Sequence, residues 1–254
     1  MQLHFGLERC AAQWKRAVGC VGTFDGLHLG HRKVLQTAVA AARAESVPCV
    51  LVTFDRHPAA LLAPERCPPS LAGLRTNLRC IREEGVDVAV VLAFDADLSR
   101  LTAQQFLDSV LRDALKVERM VVGHDFAFGH GREGTPAWLA ERLPTEVVPA
   151  LELGGKRVSS SAIRAAVSRG DVSLAGELLG RPFALEGVVV RGEQLGRRET
   201  GIVHWWGRRS STRSVAGGRL QSHVDFLRQL PVGSTTRPVR LPMPNARRTH
   251  RRPP

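Results

Sequence analysis

Two hydrophobic regimes alternate along most of the chain. Unbroken apolar runs at 18–24, 48–54, 86–94 and 117–123 are each followed by segments in which apolar residues recur every three or four positions. Apolar runs without polar alternation read as strands buried on both faces, as in a parallel sheet. The spaced segments read as amphipathic helices. Val34, Leu35, Ala38, Val39 and Ala42 set a helix over 29–43, and Leu71, Leu74, Leu78 and Ile81 set one ending near Gly85. Thr102 and Gln105 form a capping-box pattern ahead of a helix to about Leu115. A short helix over 135–142, a fifth strand over 146–151, a helix behind Ser159, Ser160 and Ser161 to Gly170 and another to Gly180 complete the series. Residues 1–16 show no clear period, and the proline-rich segment 55–70 reads as loop.

Strands alternating with helices predict an α/β fold with right-handed crossovers and a parallel sheet. In such sheets ligands sit beyond the carboxyl ends of the strands. The loops after Phe24, Phe54, Gly123 and Leu151 all follow strands and so converge on that edge. Beyond Gly180 the pattern changes. Residues 183–191, FALEGVVVR, read as one strand, and from Arg198 onward the periodicity fades.

One stretch concentrates candidate chemistry. Residues 21–31, VGTFDGLHLGH, place Gly22, Phe24, Asp25, Gly26, His28, Gly30 and His31 between a strand and a helix start. A helix N-terminus offers unpaired N–H groups and partial positive charge, and glycines let an anion approach the backbone. The two histidines, three apart, can both face a bound phosphate. Asp25 has three readings: orienting the loop, reaching a metal-bound water, or bonding its own backbone as turn aspartates do.

Composition narrows the classes. The 254 residues are 43% hydrophobic, ordinary for a globular chain. No apolar run approaches the ~20 residues of a membrane span, and the N-terminal residues lack a signal-peptide pattern. A cytoplasmic protein is expected, without a membrane partner. The cysteines, Cys10, Cys20, Cys49, Cys67 and Cys80, are odd in number and form no CxxC, which argues against a zinc site or disulfide framework. Net charge is +12, but residues 182–254 hold fourteen Arg and four acids, +10, leaving +2 for the rest. Trp205 and Trp206 amid arginines superficially suit single-stranded nucleic acid. With the rest of the chain organised around a phosphate cradle, nucleic acid is not the expected partner.

GTFDGLHLGH resembles the HxGH signature of nucleotidyltransferases. Followed in order by TFDRHP, LRTNLRCIREEGVD, GHDFAFGHGREG, VSSSAIR and LLGRPFALEGVVVRGEQLGR, it resembles bacterial FAD synthetases, which combine riboflavin kinase and FMN adenylyltransferase activities. The resemblance spans about 18–198. It implies a Rossmann-like FMN adenylyltransferase domain over 1–181. The start of a riboflavin-kinase-like β-barrel, truncated or degenerate, follows over 182–202, and 203–254 form a basic tail expected to lack a fixed fold. It implies ATP and FMN as substrates, FAD and pyrophosphate as products, and Mg²⁺ arriving with ATP, with no assigned metal ligands. By the same resemblance His28, His31, Ser161 and Arg164 are catalytic. Gly22, Phe24, Asp25, Gly26, Gly30, His57, Pro58, Asp125, Phe126, Phe128 and Ser160 line the substrate sites. His57 is otherwise a structural loop histidine, and Phe126 and Phe128 are otherwise core residues flanking a turn. Where the family usually has Glu-Pro-His-Pro, this chain has Asp55-Arg56-His57-Pro58, and Arg56 in place of proline stiffens the loop less. Other HxGH enzymes, acting on pantetheine phosphate, nicotinamide mononucleotide or a cytidylyl acceptor, fit the loop GHDFAFG and the segment SSSAIR less well. Oligomeric state does not follow.

The kinase half departs from the family. Its Gly-Phe/Ile-Pro-Thr-Ala-Asn stretch begins here as Gly201-Ile202 and continues as VHWWGRRSST. Without a complete barrel, Phe183, Leu185, Val188, Val189 and Val190 are expected to be left exposed as an aggregation-prone edge. An Arg-rich tail without lysine fits out-of-frame translation of GC-rich DNA. Sequencing the locus and translating the other two frames beyond residue 202 is expected to return a Pro-Thr-Ala-Asn-like stretch. Its absence from both frames marks the tail as a genuine divergence.

Overall fold

The computed structural model describes residues 1–8, 10, 14–185, 203–205 and 213–215. In chain order the elements are β1 (Gln2–Phe5), β2 (Ala17–Val21), α1 (Leu29–Ala44), β3 (Cys49–Phe54), α2 (Ala59–Leu62), α3 (Leu74–Glu83), β4 (Val88–Leu92), α4 (Ala96–Arg100) and α5 (Ala103–Gln105). Next come β5 (Val117–Gly123), α6 (Pro136–Ala140), β6 (Thr145–Val148), β7 (Glu152–Leu153), β8 (Lys156–Arg157), α7 (Ser160–Ser168) and α8 (Val172–Leu179). β9 (Val203–Trp205) and β10 (Arg213–Val215) pair antiparallel with each other.

Six strands form one sheet in the order β1-β4-β3-β2-β5-β6, and every pairing in it is parallel. After β2 the chain lays β3 and β4 to one side, then crosses over to place β5 and β6 on the other. The strand order therefore reverses between β2 and β5, which opens a crevice beyond their carboxyl ends. This is the Rossmann-like arrangement expected. β2 and β4 are buried at every residue, β3 at all but its last, as their unbroken apolar runs predict.

Alternate side chains feed two cores. Val18, Cys20, Leu51, Ala89, Val91 and Val121 pack under α1 and α3, whose Leu35, Ala38, Val39 and Ile81 complete that layer. Val21, Val50, Val52, Val90, Met120 and Val122 face Phe106, Leu107, Val110 and Leu111 on the opposite side. A third cluster joins α7 and α8 through Ile163, Ala166, Val167, Leu178 and Leu179. Phe183, beyond the expected domain boundary at 181, is buried in it, which corrects the expectation that this residue is left exposed. The expected strand over 183–191 lies beyond residue 185 outside the described residues, as does most of the expected tail.

Several boundaries differ from the sequence pattern. β1 carries no apolar run, because one edge of it is unpaired and Leu3 and Phe5 stay exposed. The loop at 55–70 contains α2 and a 3₁₀ turn at Pro64–Arg66. The helix expected from Leu71 starts at Leu74, because Leu71 packs into the third cluster. The capping box at Thr102 and Gln105 forms as expected, but the helix widens to π-type bonding over Phe106–Ala114. The expected strand over 146–151 is β6, followed by the β7–β8 hairpin.

Gly19 lets β2 and β5 meet at the reversal point. A Cβ there would stand 2.7 Å from Val117 Cγ1 and 2.9 Å from Met120 Sδ. Gly19→Val is expected to destabilise the fold by about 1–3 kcal/mol through overpacking. Urea denaturation checks this, and an unchanged midpoint would show that the two strands can separate without cost.

Candidate active site

The crevice at the strand reversal is built on the turn that joins β2 to α1. Three of its residues adopt left-handed backbone: Phe24 at φ 46°, Gly26 at 78° and Leu27 at 40°. For non-glycine residues that conformation costs about 1–2 kcal/mol each. Burial offsets the cost, since the Phe24 and Leu27 side chains are 3% and 2% exposed. Phe24 thus lies beneath the site, edge-on to His31 at 5.3 Å, and presents no surface for a substrate. Gly22 and Gly30 have steric reasons of their own. A Cβ on Gly22 would meet the Phe24 ring at 3.1 Å, and one on Gly30 the His28 ring at 3.2 Å.

The turn delivers His28 as the N-cap of α1. Its Nδ1 accepts the His31 N–H at 3.1 Å, and the first turn of α1 holds no acidic residue to neutralise the helix dipole. The two imidazoles stack at 3.6 Å between centroids, 15° from parallel. Burial pushes the His28 pKa down to about 4, Arg164 adding to the effect and Asp125 opposing it. Burial, then His28 and Arg164, holds His31 well below the usual histidine range. Both rings are therefore neutral at pH 7. Because His28 Nδ1 is an acceptor, its proton sits on Nε2, which is a free donor. His31 Nδ1 is buried without a hydrogen-bond partner.

Asp25 is the hub of the site. Its carboxylate accepts from the Leu71 N–H at 2.9 Å, the Ala72 N–H at 3.3 Å and Arg164 Nη2 at 2.6 Å. It makes no hydrogen bond to its own turn and instead holds the 71–72 loop and Arg164 of α7. Arg164, in the first turns of α7, also donates from Nε to the Pro69 carbonyl at 2.7 Å. Ser159 caps α7 by accepting the Ala162 N–H, Ser160 Oγ donates to the Asp25 carbonyl at 3.1 Å, and Ser161 is exposed at the helix start. Asn77 Oδ1 accepts the Gly26 N–H at 3.1 Å, and Arg181 Nη2 donates to the Gly26 carbonyl at 2.7 Å.

The remaining expected residues flank this hub. His57 Nδ1 accepts the Ala59 N–H, behind Pro58 at the start of α2. Its pKa is lowered by burial and then by Arg164, with Asp25 opposing. A small cleft is lined by Thr23, Asp25, Asp55, His57, Ala72 and Asn77. Arg56, in the family's proline position, is anchored on Asp55 at 3.0 Å. On the β5 side, exposed Asp125 pairs with Arg157 of β8 at 2.7 Å. Phe126 stacks on Phe128, which packs edge-on against Phe106 and Trp138, and both phenylalanines are half-buried against the second core. The sequence reading missed Asn77, Arg157 and Arg181. Asn77 and Arg181 lie inside the matched motifs and Arg157 immediately before one, but none is at a motif's signature position.

Among the described residues no group of three or more His, Cys, Asp or Glu side chains converges on one point. The Asp25 carboxylate is also committed to three donors. This donor set fits a divalent cation that enters on substrate phosphates better than a resident metal cage. Among the described residues, no helix is long and apolar enough to cross a membrane.

Comparison with known proteins agrees with this architecture. Residues 10–162 match the family model for FAD synthetase. Bifunctional riboflavin kinase/FMN adenylyltransferase of Escherichia coli K12 is 39% identical over 187 residues, covering 70% of this chain and 60% of the relative. The enzyme of the same name from Pseudomonas fluorescens is 37% identical, covering 78% of this chain and 65% of the relative, and that of Bacillus subtilis is 34% identical, covering 72% and 59%. The chain thus spans about three fifths of the length of these relatives. A solved structure from Streptococcus pneumoniae, named a macrolide-efflux protein, superposes with a TM-score of 0.70 at 30% identity, covering 78% of this chain and 66% of that one. With more than half of its length matched and the HxGH turn at the strand reversal, the chain belongs to the FAD synthetase family.

Proposed function

We propose that the protein is an FMN adenylyltransferase, making FAD and pyrophosphate from FMN and ATP. The observation that carries the proposal is the stacked, neutral His28–His31 pair at the dipole end of α1, beside Arg164, in a chain of this family. An FMN phosphate oxygen attacks the α-phosphorus of ATP, a new P–O bond forms, and the bond to pyrophosphate breaks. The attacking phosphate is already ionised at pH 7, so no general base is required. Catalysis then rests on positioning and on stabilising charge that spreads over phosphoryl oxygens.

His28 Nε2–H and the α1 N-terminus are donors suited to the α-phosphate. A neutral ring serves this role without having to lose a proton. Arg164 supplies the fixed positive charge, and Ser161, exposed at the start of α7, offers a hydroxyl to the leaving phosphates. Phe126 offers a flat apolar face, with Asp125 and His57 on either flank of the crevice. Mg²⁺ bound to the triphosphate would neutralise part of its charge. Riboflavin phosphorylation is not part of the proposal, since no Pro-Thr-Ala-Asn stretch follows Ile202.

Incubated with ATP and Mg²⁺, the purified chain is expected to yield FAD from FMN and no flavin nucleotide from riboflavin. Absence of FAD from FMN sinks the reading. His31 serves as the second ring donor of the stacked pair, so His31→Ala is expected to lower kcat about 10²–10³-fold, equivalent to ~3–4 kcal/mol, as for loss of one preorganised donor. Near-normal turnover removes His31 from the mechanism.

The histidines also set a pH dependence. The folded His28 pKa, about 4, lies below the ordinary 6.5. Between these values the unfolded chain binds more protons, so stability is full above 6.5 and declines as pH falls toward 4. The loss from His28 alone is of order 3 kcal/mol. His28→Asn, which keeps an N-cap acceptor, is expected to flatten this slope in denaturation curves taken between pH 7 and 4. An equal slope in the variant would mean that His28 is not the titrating group.

A further inference from the structure

The segment that leaves the α/β domain runs back against the start of α1. Gly180, at φ 67°, ends α8 in left-handed backbone. A Cβ on it would collide with the Leu29 side chain and stand 3.2 Å from Arg32 Nη1, so the end of α8 abuts the first turn of α1. The Arg181 N–H closes the cap on the Gly176 carbonyl at 3.2 Å, and Phe183 is buried in the cluster against which Leu29 packs. The same cap aims Arg181 at the histidine turn, where Nη2 reaches the Gly26 carbonyl at 2.7 Å.

Gly26 is the middle of the left-handed run that sets the direction of His28. Both sides of its preceding peptide are held: Ser160 bonds the Asp25 carbonyl and Asn77 the Gly26 N–H. Its own carbonyl is held by Arg181. These three side chains come from α7, from α3 and from the exit of α8, so the turn is gripped from three directions.

We propose that Arg181 is a positioning residue for adenylyl transfer, clamping the Gly26 carbonyl so that His28 and His31 are held in register with the phosphates. It acts through the turn and does not touch substrate. Through it, the segment following residue 181 is mechanically connected to the histidine pair. The proposal rests on the FMN adenylyltransferase reading.

The test compares full-length wild type, Arg181→Ala and Arg181→Lys, with ATP, Mg²⁺ and FMN. Arg181→Ala is expected to lower kcat roughly 10–100-fold, the scale of an ångström-sized misplacement. KM for ATP and for FMN is expected to stay within about threefold, as for a residue that holds no substrate. Arg181→Lys, whose ammonium can still donate to a carbonyl, is expected to recover most of the loss. NMR titration of the His28 ring supplies a readout independent of turnover. In Arg181→Ala the ring is expected to titrate closer to the ordinary histidine range as the turn loosens and admits water. A kcat within twofold of wild type overturns the proposal, and so does an unchanged His28 titration. A rise in KM that accounts for the whole loss overturns it too, by making Arg181 a substrate ligand. If wild type itself forms no FAD, the functional reading fails, while the His28 titration still decides whether Arg181 holds the turn.

Discussion

The site depends on one buried ion pair. Asp25 and Arg164 meet at 2.6 Å with side chains only 11% and 15% exposed. Removing two charges from water is expensive, and further hydrogen bonds to the carboxylate and to the guanidinium Nε offset part of that cost. The Leu71 and Ala72 N–H groups complete the carboxylate, and the Pro69 carbonyl occupies the guanidinium Nε. The consequence is mechanical as well as electrostatic. The pair ties the turn after β2 to the loop before α3 and to the start of α7, three segments spread over more than a hundred residues of sequence. Loss of the carboxylate would leave a buried guanidinium uncompensated and would free the 69–72 loop together with the turn.

Burial keeps the histidines neutral, and the guanidinium of that pair adds to the effect. Arg164 lowers the pKa of His28, His31 and His57, adding to the larger effect of burial. The positive end of the site is therefore made by a guanidinium and a helix terminus. The imidazoles contribute directed donors instead of net charge. Stacking at 3.6 Å requires this, because two imidazolium rings at that distance would repel strongly in a partly desolvated crevice. Two constraints, close packing and fixed protonation, thus select the same state.

The parallel sheet was legible because β3 and β4 are buried on both faces, so their apolar runs are unbroken. β1 was not legible, since a four-residue edge strand needs few apolar positions. The motif order placed the histidine turn, the 57–58 loop, the β5 loop and the α7 start correctly at one sheet edge. What the sequence could not show is how the motif side chains divide between ligand and scaffold. Phe24 and Phe128 look equally available on paper, yet one lies beneath the turn and the other is packed among three aromatic rings. Asp25 was ambiguous for a related reason: its partners, Leu71, Ala72 and Arg164, are 46 to 139 residues away. Long-range hydrogen bonds to backbone N–H groups leave no side-chain pattern to read.

The same limit applies to where the α/β unit ends. Composition changes after Gly180, and the boundary expected at 181 assigns every later residue to a separate module. Packing does not stop at that point. Gly180 touches the first turn of α1, Arg181 bonds the histidine turn and Phe183 fills the third core cluster. A change of composition marks where the periodic signal is lost, whereas a structural boundary lies where contacts stop. Here the packing continues at least to Phe183, and Arg181 reaches the turn that aims His28 and His31. A C-terminal sequence altered from Arg181 onward would therefore remove a hydrogen bond from the histidine turn.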